Sequence, residues 1–445
     1  MKLNRNTLAV LLLVSVLVLS LTACATGVAG QTEARPDTDA AQTASAQTDS
    51  QNDAQVNTQA DAEANSQTNT QATQNTQTTQ AAQSGTQSEE ITAANVTSDG
   101  AIDASDLFSK RDLTQTADLS EAISYTVSDG NDLHITAAGV YLLQGSAKNV
   151  TIYVEAGDED KVQLVLNGLE VANDSFPVIY GKNADKVFLT TAADSENHLS
   201  VTGAFTADGS TNTDAVVFSR DDLVLNGLGA LNIVSSDNGI SCKDKLKLTG
   251  GTLTVSAQGH GLEANDGIAV AAGVVSIAAR QDGLHAENDD DTRLGWIYLC
   301  GGTLTVNAAD DGLHAVSIVQ IDGGTLSVTA AEGIEGTWVQ LNDGTVTVSA
   351  SDDGINGARK STAYTTCVEL NGGTLEITMG QGDTDAVDSN GNLVITGGVI
   401  TISAQSPFDY DGTLTHTGGT ITVNGVRTDT ITNQFGGMGP GRRGR

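Results

Sequence analysis

The sequence predicts an all-β chain wound as a single-stranded parallel β-helix behind a disordered linker. Three observations predict it. A glycine-threonine corner recurs, with its second glycine at Gly229, Gly251, Gly273, Gly302, Gly324, Gly344, Gly373, Gly398 and Gly419, in steps of 22, 22, 29, 22, 20, 29, 25 and 21 residues. Self-similarity at such a period signals stacked supersecondary units. After each corner, apolar residues alternate with Thr or Ser, as in Leu253 and Val255, Leu304 and Val306, or Ile400 and Ile402. Period two with β-branched residues is a strand signal. Finally, a second alternating pair precedes the corner (Leu246 and Leu248) and a third follows an acidic turn (Leu284 and Ala286; Leu313 and Ala315). Three short strands per repeat, with no helical stretch between them, describe one coil.

The coil has a physical logic. One coil leaves its backbone groups unpaired above and below, so neighbours stack at about 4.8 Å to complete a parallel ladder. Inward Leu, Val and Ile then fall into columns. Corner glycines supply the positive φ that a sharp bend commonly needs. Outward Thr252, Thr303, Thr325, Thr345, Thr374 and Thr420 are expected to form a surface ladder.

Residues 1–24 read as a lipoprotein signal: Lys2 and Arg5, an apolar run from Leu8 to Leu21, then "LTAC" ending at Cys24. The run is too short for a confident membrane span. The box resembles the bacterial lipoprotein signal, in which the cysteine is lipidated. Cys24 is therefore the expected lipid anchor, holding the protein on the extracellular face of the bacterial plasma membrane without spanning it. Residues 25–102 are rich in Gln, Thr, Ala, Ser and Asn and poor in aromatics, a composition that cannot offset its ordering entropy. Roughly 75 such residues span about 50 Å as a coil. Residues 103–201 alternate less regularly and read as an N-terminal cap with the first coils, because terminal repeats must close off the core. Residues 202–425 carry the regular coils, and residues 426–445 read as a disordered Gly- and Arg-rich tail.

Composition narrows the partners. The chain has 55 acidic against 21 basic residues, a net charge of -34 that argues against nucleic acid or anionic lipid. Cys242, Cys300 and Cys367 show neither a zinc signature nor a disulfide framework. Cys242 falls in the column of Ala264, Ala286 and Ala315, which places it in the core. The oligomeric expectation is a monomer.

The acidic turns are where chemistry can reside. Alignment on the "DG" step puts Asp214, Asn238, His260, Asp282, Asp311, Glu332, Asp353 and Asp385 in one column. Three residues on lie Val217, Ser241, Glu263, His285, His314, Glu335, Asn356 and Asp388, then Asp409. Stacking brings such oxygens within about 5 Å of the next coil. Carboxylates at that spacing repel one another unless cations sit between them, and hard oxygen ligands favour Ca²⁺. The loop "ENDDDTRLG" adds Asp289, Asp290 and Asp291. The expected metal ligands are Asp282, Glu287, Asp289, Asp291, Asp310, Asp311, Asp352, Asp353, Asp385 and Asp388. The alternative for any one Asp is a solvated turn in which it satisfies backbone N–H groups.

The segments "NTDAVVFSRDDLVLNG", "GISCKDKLKLTGGTLTVSA", "DGLHAENDDDT", "AEGIEGTWVQLNDGTVTVSASDDGING", "AVDSNGNLVITGGVI" and "FDYDG" occur in this order. The chain resembles in them the bacterial carbohydrate-binding β-helix family, over roughly Phe108 to Val423. The resemblance implies a right-handed, pectate-lyase-like solenoid that holds Ca²⁺ and binds polygalacturonate- or pectin-type acid sugars of the plant cell wall, with cellulose as a second glycan, without catalysis. The expected carbohydrate contacts are His285, His314, Glu335, Trp338 and Asn356. No catalytic residue is expected. Two other classes remain open. One is a lyase or polygalacturonase-type hydrolase on the same fold, to which "NTD" (Asn212 to Asp214), Asp237 and "GHG" (Gly259 to Gly261) bear a faint likeness. The other is a structural surface adhesin.

Overall fold

The computed structural model describes residues 102–381 and 384–433. Cys24, the linker up to residue 101 and the tail from residue 434 lie outside them. The chain divides into Met1–Thr86 and Gln87–Arg445, and every described residue belongs to the second unit. Among the described residues all regular structure is β. Strands pair in parallel with their counterparts one repeat later, and three ladders result.

The first ladder holds the strands before each corner. Leu223, Leu246, Ile268, Ile297, Val319, Val339, Val368 and Leu393 are register partners in turn. The second follows the corner, through Leu231, Leu253, Val275, Leu304, Leu326, Val346, Leu375 and Ile400. The third follows the acidic turn, through Ile240, Leu262, Leu284, Leu313, Ile334, Ile355 and Val387. These columns are buried and belong to one continuous core that runs from Ile135 to Ile431. Cys242 joins them, fully buried and paired with Ala264, as its column predicts.

The corners follow the glycines. Gly251, Gly273, Gly302, Gly324, Gly344, Gly373, Gly398 and Gly419 all have φ between +67° and +109°. The earliest corner differs from expectation. Its positive φ (+123°) falls at Gly227 rather than Gly229, and a Cβ on Gly229 would lie 2.2 Å from the Ala192 carbonyl oxygen. The outward threonine row forms, with Thr303, Thr325, Thr345 and Thr374 in register, interrupted by Val274 and Val399.

The stacking passes through residue 201 without a break, since Ser235 pairs with Val201 on one side and Ala257 on the other. The terminal closures lie elsewhere. Residues 102–118 run along the outside of the first ladder. The Ile102 N–H donates to Gln320 Oε1 (2.6 Å), and Gln115 Nε2 donates to the Thr249 carbonyl (2.8 Å). Between them, fully buried Asp112 meets Lys186 Nζ at 3.5 Å and Lys247 Nζ at 3.6 Å, and Asp222 pairs with the same two lysines. This strap explains why Lys247, Tyr298 and Gln320 are buried although their side chains point away from the core. At the other end the first residues of the expected disordered tail form a strand. Val426–Thr428 turns back antiparallel on Thr420–Val423. Asn424 and Gly425, at φ +51° and +78°, supply the turn that an Asn-Gly pair favours.

Candidate functional site

The site grows from the Asp-Gly step that joins the second ladder to the third. Glycine is required there because successive rungs touch. A Cβ on Gly283 would stand 2.6 Å from the Gly312 carbonyl oxygen, and one on Gly312 would stand 2.5 Å from that of Gly333. The Gly283 N–H donates to the Asp311 carbonyl (2.8 Å) and the Gly333 N–H to that of Asp353 (2.8 Å). The backbone thus locks each turn onto the next, and the side chain before each glycine falls in line.

Three residues on, the outward column of the third ladder is continuous. In register it reads His134, Tyr153, Tyr180, Phe218, Ser241, Glu263, His285, His314, Glu335, Asn356, Asp388 and Asp409. Val217 is not in it. An offset in that turn pairs Val217 with Ile240 and brings Phe218 opposite Ser241. The column therefore changes character along its length, from aromatic to imidazole-and-carboxylate to carboxylate.

In the middle section each carboxylate meets a nitrogen. Asp282 Oδ2 lies 2.7 Å from His285 Nδ1 and 3.3 Å from His260 Nδ1, while Asp282 Oδ1 accepts the Asp311 N–H at 2.9 Å. Asp311 Oδ2 lies 2.7 Å from His314 Nδ1, which also faces Glu335 Oε2 at 3.0 Å. Lys360 Nζ meets the same Glu335 oxygen at 3.0 Å. The His260, His285 and His314 rings stack at 4.2 and 4.9 Å. Burial disfavours a charged His314, yet its bonds to Asp311 and Glu335 outweigh that and push it up to about 10. Burial likewise raises Asp282, but the His260 and His285 contacts overcome it and hold the carboxyl well below its usual range.

The last section is different. Burial, with Glu335, Asp311 and Asp353 adding, pushes Glu332 up to about 7, despite an Asn356 hydrogen bond (2.9 Å) that favours the charged form. Asp353 is pushed up to about 6 by burial and by Asp352 and Asp385. Asp388 reaches about 7 through burial and through Asp353, Asp409, Asp385 and Asp411. Here carboxylates crowd and raise one another.

The expected ligands scatter accordingly. Asp282 and Asp311 are buried and committed to histidines. Glu287 is exposed and reaches His285 Nε2 at 3.2 Å. Asp291 is taken by Arg293 at 2.5 Å, and Asp289 is exposed beside it. Asp310 and Asp352 are exposed, one residue ahead of the column. Asp353, Asp385 and Asp388 come together, with the Asp385 N–H donating to Asp353 Oδ1 at 3.1 Å. Of the expected sugar contacts, His285, His314, Glu335 and Asn356 share the outward column. Trp338 does not: it packs around the bend with Trp296, Tyr298, Ile102 and Leu107 beneath the strap.

Three groups of side chains have ligand atoms within 4.8 Å of one another: His260, Asp282 and His285; Asp282, Asp311 and His314; and Asp311, Glu332 and Glu335. The first two mix nitrogen with oxygen and the third is all oxygen. Sequence reasoning gave His260 a role only in the hydrolase likeness, and gave none to Glu332 or Lys360. The repeat alignment did place His260 and Glu332 in the turn column, and that is the signal for them. Lys360 arrives from the insert after Gly357, and no pattern announces it.

A sequence profile of the family described as "Carbohydrate-binding domain-containing protein" matches residues 129–338 and 331–434. A relative of that description from Acetivibrio thermocellus is 32% identical over 126 residues, 28% of this chain, and the match spans 44% of the relative's length. A solved structure described as the polysaccharide lyase-like protein from C. thermocellum, in a gadolinium derivative, is similar at 27% identity and a TM-score of 0.46, over 51% of this chain and 96% of that one.

Proposed function

The chain belongs to the carbohydrate-binding domain-containing family, and on that premise we propose that it is a non-catalytic, calcium-dependent binder of acidic polysaccharide of the polygalacturonate type. The stack of three parallel ladders is read as a right-handed, single-stranded, pectate-lyase-like β-helix. Cys24 is read as its lipid anchor on the outer face of the plasma membrane.

One observation carries the reading: the carboxylate section of the column, where Asp388 is in register with Asp409 and is raised by burial and by the neighbouring Asp353, Asp409 and Asp385 carboxylates. Hard oxygen donors at that density suit Ca²⁺. The residues that would hold it are Asp353, Asp385 and Asp388; in the neighbouring all-oxygen group of Asp311, Glu332 and Glu335, Asp311 and Glu335 are already bonded to His314. The histidine section does not fit Ca²⁺. Both oxygens of Asp282 already accept hydrogen bonds, and imidazole nitrogen is a poor donor to a hard ion. When bound, the ion supplies positive charge that a sugar carboxylate can share. The protein's part is to fix carboxylates at rung spacing, and without the ion its net charge of -34 would repel a polyuronate.

The test is retention on polygalacturonate gel beside neutral glucan gels, in Ca²⁺ and in EDTA. Retention on the acidic gel that EDTA greatly weakens is expected. Retention indifferent to EDTA, or confined to neutral glucan, contradicts the proposal.

A second reading, glycosidic hydrolysis, draws on one feature. Asp214, Asp237 and His260 occupy successive turns, tied by the Asn238 N–H to the Asp214 carbonyl (3.0 Å) and the Gly259 N–H to that of Asp237 (3.0 Å). Burial and Glu263 push Asp214 up to about 6, in the range of a general acid. New reducing ends released from polygalacturonate, and lost in Asp214→Asn, would favour it over binding alone.

A further inference from the structure

Away from the column, the second ladder carries a groove of about 360 Å³. Its origin is legible rung by rung. The outward row places Ser256, Ala278 and Asn307 side by side on three stacked strands. Ala278 has a single methyl, so it leaves a notch between two longer side chains. Just beyond the strand ends, Gln258 and Arg280 line the same groove. Gln258, Arg280 and Asn307 are exposed, and among the described residues none of their side chains has a hydrogen-bond or ion-pair partner. An unpaired guanidinium is thus held in a concave, polar setting two residues before Asp282, in a chain with 55 acidic residues.

We propose that this groove binds an anionic saccharide unit, with the sugar carboxylate on Arg280 and sugar hydroxyls on the Gln258 and Asn307 amides. A guanidinium offers two parallel N–H groups that match a carboxylate, which an ammonium does not. Amides both donate and accept, as hydroxyls require. The volume lies within the usual range of small-molecule sites. The inference rests on the carbohydrate reading and adds to it a direct contact that needs no metal. It also gives a source of selectivity. A neutral glycan in the same groove would leave the guanidinium without its anionic partner.

The experiment is calorimetric titration of the full chain in EDTA with trigalacturonate, and with cellotriose as the neutral comparison. Wild type binds trigalacturonate more tightly than cellotriose. Arg280→Ala weakens trigalacturonate binding about tenfold or more, the size expected for losing a charge-assisted contact. Arg280→Lys falls between, because it keeps the charge and loses the paired donors. Ala278→Leu fills the notch and weakens binding while leaving the melting temperature unchanged, since the position is exposed. Equal trigalacturonate affinity in wild type and Arg280→Ala overturns the inference, as does wild-type binding seen only with Ca²⁺. If wild type takes up neither sugar with or without Ca²⁺, the carbohydrate reading fails as well, so the two failures are distinguishable.

Discussion

Replacing Asp112 with Asn should unfasten the strap that closes the first ladder. Asp112 is fully buried and its carboxylate faces Lys186 and Lys247 at 3.5 and 3.6 Å. With Asp222 it makes a quartet of two anions and two cations, so the wild-type count is neutral. The substitution leaves a surplus buried ammonium, and breaking a buried pair in this way costs about 3–5 kcal/mol. Pairing it with Lys247→Met restores the balance with Asp222 and Lys186, so the double variant should recover much of the loss. The assay is urea unfolding of wild type, both single variants and the double, read as a cycle. The pH dependence has a definite sign. Burial works against the Asp112 charge, but Lys186, Lys247 and the Ser109 bonds hold its carboxyl below the usual value. Its contribution is therefore present above about pH 4, the unfolded value, and is lost as pH falls through the lower folded one. The gap between wild type and Asp112→Asn should close over that acid range. A single variant within about 0.5 kcal/mol of wild type, the size of an ordinary surface change, together with additive behaviour in the double, would refute the reasoning.

Other outcomes follow from the same structure. Gly302→Ala places a side chain at φ +82° and should lower stability by about 1–2 kcal/mol, whereas Thr303→Ala beside it should change little; equal effects would count against the corner argument. Leu313→Ala empties a fully buried core position and should cost about 2–5 kcal/mol by chemical denaturation. If the carboxylate section holds Ca²⁺, the ion at a hundredfold excess over its dissociation constant should stabilise the fold by about 2.7 kcal/mol, reversed by EDTA. An unchanged melting temperature would argue that no such site forms.

Much of the fold was legible because the stack repeats its own physics. Alternation at Leu253 and Val255 and a positive-φ glycine at the corner recur in coil after coil, and a turn packed rung on rung, Asp-Gly in three of them, follows, so each copy corroborates the others. The parts that escaped are those made once. The strap at residues 102–118 pairs Ile102 with Gln320 and Asp112 with Lys247 across more than a hundred residues, and no local pattern marks such contacts. The slip at Phe218 comes from an irregular turn that shifts the column by one residue. Likewise, the acidic stripe was visible as a composition, but its division was not. Whether an Asp faces an imidazole, as Asp282 does, or other carboxylates, as Asp388 does, depends on which side chain the next rung supplies. Trp338 illustrates the reverse case. It was expected among the sugar contacts, while it packs against the hydrophobic cluster beneath the strap.

The most direct test replaces Asp353 and Asp388 together with Asn, which keeps side-chain size and removes the crowded charges, and measures retention on polygalacturonate gel with and without Ca²⁺. Wild type should be held strongly in Ca²⁺ and much more weakly in EDTA, and the double variant should show only that weak retention in both conditions while remaining folded. Calcium-dependent retention that survives the double substitution would contradict the account.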